Sequence, residues 1–108
     1  MHFFYLKDTQ YKLKRKGVWV KAISGERCQM LQIRLDPGFE SDHCHPEEQI
    51  GLVLAGTISL TVDDETESCG KGDAYYIPAN ARHSFKVLSD EPAEILDVFS
   101  PPKEENRL

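Results

Sequence analysis

A chain of 108 residues with 29% charged and 40% hydrophobic side chains has the make-up of one soluble globular domain over residues 1–108. Its formal net charge of −5, from 18 acidic and 13 basic residues, argues against a nucleic-acid partner, which favours a basic face. No apolar run approaches the roughly 20 residues that a membrane-spanning helix needs, so no membrane partner is expected.

In chain order, MHFFYLKDTQ has an aromatic patch but neither the apolar core nor the cleavage site of a signal peptide. Lys12, Lys14, Arg15 and Lys16 come next and read as a solvated strand edge. GVWVKAIS reaches the Ser24-Gly25 turn. CQMLQIRL alternates, with Leu31, Ile33 and Leu35 on one face. Asp36-Pro37-Gly38 places Pro and Gly as a type II turn prefers. QIGLVLA and TISLTV are split by Gly56, and turns at Asp63-Asp64 and Gly70-Lys71-Gly72-Asp73 come after them. AYYIP, HSFKVL and AEILDVFS complete the series, and PPKEENRL is a polar tail or a short terminal turn. Short strands between frequent turns, with no sustained helical period, predict an all-β antiparallel sandwich or barrel. The three cysteines lack CxxC spacing, which fits a reduced, cytoplasmic protein.

The densest donor cluster is HCHPEEQ, residues 43–49, with two of the four histidines. In a strand His43 and His45 point to one face and Cys44 to the other. Gln49 keeps that parity if the strand stays regular, and His83 comes after a later proline turn. Three imidazoles and one side-chain oxygen suit one divalent transition metal (Ni, Mn, Fe, Co, Zn or Cu) with positions left for water or substrate. An HxH pair on its own is also common on exposed strands.

Two segments carry a family resemblance. PGFESDHCHPEEQIGLVLAG resembles the first signature of the cupin superfamily, and GDAYYIPANARH resembles the second. The resemblance implies a double-stranded β-helix (jelly-roll) barrel holding one metal through His43, His45, Gln49 and His83. The usual cupin ligand at position 49 is Glu. Gln coordinates through its amide oxygen but cancels no metal charge, which leaves a stronger electrophile and a better host for an anion. Glu47 and Glu48 rank below it as ligands.

In EILDVFSPPK, Ile95, Asp97 and Phe99 share a face. Spacing alone favours a solvent-facing or ion-paired Asp97. However, HxHPxEQ, GDxxYIPxNxxH and the terminal DVFSP are similar to the KdgF branch of cupins. Those proteins act in pectin and alginate breakdown, opening 4,5-unsaturated monouronates to linear keto forms. The resemblance implies Asp97 as acid–base, Phe99 as a pocket wall and an anionic sugar as substrate. The family's later arginine is matched by Lys103, with Arg82 or Arg107 as compensating cations for the carboxylate. Two other readings stay open: a metal-dependent cupin dioxygenase and a non-catalytic small-molecule-binding cupin. Arg34 is left open between pocket and exterior. One of Tyr75 and Tyr76 can face the pocket. A homodimer is expected, through MHFFY and GVWV.

Overall fold

The computed structural model describes residues 2–107. Among these residues, ten strands form two antiparallel sheets. They are β1 (Lys12–Arg15), β2 (Val18–Ser24), β3 (Gln29–Leu35), β4 (Glu40–His43), β5 (Glu48–Ala55), β6 (Ile58–Val62), β7 (Glu65–Cys69), β8 (Ala74–Ile77), β9 (His83–Val87) and β10 (Ala93–Ser100). The larger sheet runs β1-β2-β3-β10-β5-β8 and the smaller β4-β9-β6-β7. Short 3-10 turns lie at Leu6–Asp8 and Glu104–Asn106. No helix among the described residues is long and apolar enough to cross a membrane.

The strands arise from the alternation in the sequence. In β3, Gln29, Leu31, Ile33 and Leu35 are buried while Met30, Gln32 and Arg34 lie outside. In β2, Val18 and Val20 enter the core. GVWV is therefore core rather than the sticky surface the sequence suggested. Leu31, Val53, Ile58, Ile77 and Ile95 are fully enclosed between the sheets, each contributing about 1.5–3 kcal/mol relative to exposure. The Pro37-Gly38 turn has Gly38 at φ +79, the left-handed position a type II turn reserves for glycine.

One segment differs from expectation. ETESC forms a polar edge strand, β7, whose exposed side chains gave no alternating signal. The end of the chain, through Arg107, forms the short terminal turn that the sequence allowed, and it is docked on the barrel. Gln29 donates to the Lys103 carbonyl (3.1 Å), Arg107 donates to the Gly25 carbonyl (2.9 Å), and Asn106 is buried beside Gln29.

Candidate metal centre

The strand carrying His43 ends there, and Cys44–Glu47 cross from the smaller sheet to the larger, where β5 begins at Glu48. The regular parity through Gln49 expected from the sequence therefore fails. Gln49 instead reaches the same place from the opposite sheet. His83 opens β9 and is the cross-strand partner of His43. The ligating atoms of His43, His45 and His83 lie within 4.8 Å of one another. Cys44 is exposed.

The hydrogen bonds around two of these rings, His83 and His45, fix their tautomers. A carbonyl can only accept, so His83 Nδ1 donates to Ala81 O (2.9 Å) and its Nε2 keeps a lone pair. That Nε2 is buried without a partner. His45 Nδ1 likewise donates to Glu47 O (2.9 Å), which leaves its Nε2 facing Gln49 Oε1 at 3.2 Å. Two acceptors thus face each other beside a third that is orphaned. Each unsatisfied buried acceptor costs about 1–3 kcal/mol; a cation among them satisfies all three. Burial, then the neighbouring His83 and Lys103, holds the His43 ring down to about 4, and burial also lowers His83. Both are neutral and able to ligate at neutral pH. This donor set fits a divalent first-row metal.

Beside the imidazoles stands a buried acid. Asp97 is only 2% exposed, so it is neither solvent-facing nor in an ordinary ion pair, as spacing alone favoured. Tyr75 Oη donates to its Oδ1 at 2.6 Å. Burial pushes the Asp97 carboxyl up to about 6 against the opposing pull of Tyr75, Gln49 and Lys103. Gly51, paired with both Asp97 and Tyr75, makes the contact possible, because a Cβ there would collide with the tyrosine ring and the carboxylate. Phe99 packs edge-on against His45, with ring centroids 5.7 Å apart. Sequence reasoning singled out neither Gly51 nor the tyrosine's role; the shared parity of Tyr75, Gly51 and Asp97 across three strands was the only signal, and it needs the strand pairing.

His43, His45, Gln49, Asp97, Phe99 and Lys103 line one interior cavity of about 60 Å³. It opens past Arg15, Ser41, His43, His45 and Lys103 into a surface basin of about 590 Å³. Lys14 and Arg15 also line the cavity, so this part of the basic run is the mouth of the site rather than a solvated edge. Arg82 is not brought there: its side chain is 76% exposed and forms a bidentate pair with Asp42. Arg107 is engaged by Glu104 and the Gly25 carbonyl. Arg34 lies on the outer face, its guanidinium over the rings of Tyr11 and Trp19.

The "Cupin domain" family model matches residues 31–99. The chain is a cupin. The match contains the three imidazoles, Gln49 and Asp97, and this cupin's two sheets are those of its solved relatives. Over 97% of both chains it superposes on KdgF from Halomonas sp. with a TM-score of 0.90 at 22% identity, a likeness that shows the fold. An uncharacterized protein of Streptomyces coelicolor is 34% identical over 70 residues, covering 64% of this chain and 66% of that one. Oxalate decarboxylase OxdC of Bacillus subtilis is 31% identical over 107 residues, covering 89% of this chain but 28% of its own length.

Proposed function

We propose that this cupin is a metal-dependent isomerase that opens 4,5-unsaturated monouronates to their linear keto forms. One observation carries the reading: a buried, tyrosine-held carboxylate, Asp97, shares a cavity with His43 and His45, whose ligating atoms cluster with that of His83 within 4.8 Å. His43, His45, His83 and the Gln49 amide oxygen would hold the metal. When bound, it supplies Lewis-acid stabilisation of negative charge developing on a substrate oxygen.

The rest is proton management by the chain. The Asp97 carboxylate takes the proton of the anomeric hydroxyl. The bond from the anomeric carbon to the ring oxygen breaks, its electron pair passing to the ring oxygen, which becomes an enolate. Protonated Asp97 returns the proton to the enol carbon at position 4, giving the keto form. Nothing is gained or lost, as an isomerisation requires, so one carboxyl group suffices. The Tyr75 hydroxyl orients Asp97, and Phe99 and Ile95 wall the cavity against water. A carboxyl group poised near 6 accepts and releases a proton at neutral pH with small driving force either way.

The test monitors loss of the ultraviolet absorbance of 4,5-unsaturated galacturonate with native, chelator-treated and Asp97→Ala protein. Acceleration that needs both the metal and Asp97 is expected. No acceleration over buffer by protein shown to carry metal would sink the reading and turn attention to oxygen consumption, the dioxygenase alternative. The proposal includes a homodimer. Val18 and Val20 are committed to the core, but Phe3, Phe4 and Tyr5 are exposed, as is the cross-strand row Val98, Ile50 and Tyr76 on the larger sheet. Met1 of MHFFY lies outside the described residues. A monomer mass by sedimentation at micromolar concentration would remove the dimer.

A further inference from the structure

The cavity mouth holds an arrangement that neither the metal ligands nor Asp97 uses. Lys14 comes from β1 and Lys103 from the segment after β10. Both direct their ammonium groups at one atom, Glu105 Oε1, at 3.7 and 3.0 Å. The two lysine side chains are only 16% and 13% exposed, whereas Glu105 is 53% exposed. Ammonium groups this close repel each other, and half-buried ones are weakly screened. The pair is stable while an anion stands between them.

Two other acids around the basin are paired: Asp42 holds Arg82 and Glu104 holds Arg107. The Glu47 carboxylate lies 3.5 Å from the His45 ring. Arg15 lines both cavity and basin and makes no ion pair with the described residues. Cations therefore exceed free anions at the mouth, on an otherwise acidic chain. Size adds a second constraint. A cavity of about 60 Å³ has room for roughly five water molecules. The cavity continues past Lys103 into the basin, so a six-carbon sugar acid seated beside the imidazoles extends toward the mouth, where the lysines stand.

We propose that Lys14 and Lys103 are a paired anchor for the carboxylate of the ligand, and that Glu105 is its resident stand-in, released when the ligand's carboxylate takes the place between the two ammonium groups. This rests on the uronate reading of the same cavity and adds to it a binding residue, Lys14, and a built-in competitor. The exchange is balanced in charge: one carboxylate leaves for solvent, where Glu105 already half lies, and another arrives. Two point charges from different parts of the chain supply the two donor directions that one planar guanidinium would give. A lysine at position 103 is then adequate where the KdgF branch has an arginine.

The experiment is calorimetric titration of the full chain, metal-loaded, with galacturonate and with galactose as probes. It compares native protein with Lys14→Met, Lys14→Arg and Glu105→Gln, with thermal midpoints recorded for each. Native protein is expected to prefer galacturonate. Lys14→Met should weaken galacturonate about tenfold, Lys14→Arg should restore it, and Glu105→Gln should tighten it several-fold; galactose should be indifferent to all three. Unchanged galacturonate affinity in a folded Lys14→Met, or no gain in Glu105→Gln, overturns the anchor, as does a native protein that does not bind galacturonate. If Lys14→Met melts early, the Glu105→Gln result decides alone. The two readings fail separately. The expected order of galacturonate affinities without ring opening in any protein keeps the anchor and ends the isomerase; ring opening whose KM ignores Lys14→Met does the reverse.

Discussion

Along β9 the inward side chains run His83, Phe85, Val87; along β10 they run Phe99, Asp97, Ile95, Ala93; along β5 they run Gln49, Gly51, Val53. The same strands thus build two layers. In one, Ile95 meets Val53 and Ile33 across the sheet, and apolar surface is simply removed from water. In the other, Asp97 meets Gly51 and Leu31, and the layer is closed by imidazoles, an amide and a carboxyl. The backbone is the same in both, so strand geometry does not distinguish them. The difference is energetic. The apolar layer stabilises the fold, while the polar layer holds an orphaned imidazole nitrogen and a desolvated acid that cost stability.

Substitutions in the two layers should accordingly have opposite signatures, and the largest effect falls on Asp97. Asp97→Asn keeps the shape of the side chain but cannot carry the proton. Ring-opening activity should fall about 10²–10⁴-fold while metal content, by atomic absorption, stays unchanged. Retained activity would break the comparison at its centre. Next is Ile95→Ala in the apolar layer, which should lower stability by about 2–5 kcal/mol in chemical denaturation and leave metal content intact.

The third expectation concerns pH. Asp97 is raised in the folded chain, so the folded state holds its proton more tightly than the unfolded one. That contribution is complete below about pH 4 and is lost as pH rises through about 6. Metal-free protein should lose about 3 kcal/mol over that window, and metal-free Asp97→Asn should not. A native profile as flat as the variant's would show that the acid costs nothing to bury. The smallest effect is for Tyr75→Phe. Removing the hydroxyl that favours the charged carboxylate should move the Asp97 titration to higher pH and cost about 1 kcal/mol. A pH–rate profile that does not move upward would remove Tyr75 as the positioning residue.

Much of the fold and of the donor set is legible in the chain because it is local. Alternation in CQMLQIRL marks β3 and its inward face, and the Pro37-Gly38 turn marks its end. HxH and the later histidine mark the imidazole cluster, and Ile95, Asp97 and Phe99 do share one face. ETESC is not legible, because an exposed edge strand has no buried face to write an alternating pattern. Arg82 is not legible either: its place beside Asp42 depends on pairing between β4 and β9, 40 residues apart in sequence. Lys14 is hidden for the same kind of reason. A basic run near a terminus looks like a solvated edge until that strand and the segment after β10 are set against one cavity.

By itself, then, the sequence determined the all-β fold, the inward faces of most strands and the three histidines that cluster, because side-chain period and turn chemistry act over a few residues. Only the tertiary structure decided that Gln49 arrives from the opposite sheet, that Gly51 leaves room for Tyr75 to hold Asp97, and that Lys14 and Lys103 converge on Glu105. Each brings together parts of the chain far apart in sequence. Gly51, Tyr75 and Asp97 meet through strand register, and a shift of one residue would turn each of those side chains to the other face, while Lys14 meets the segment after β10 through the packing of β1.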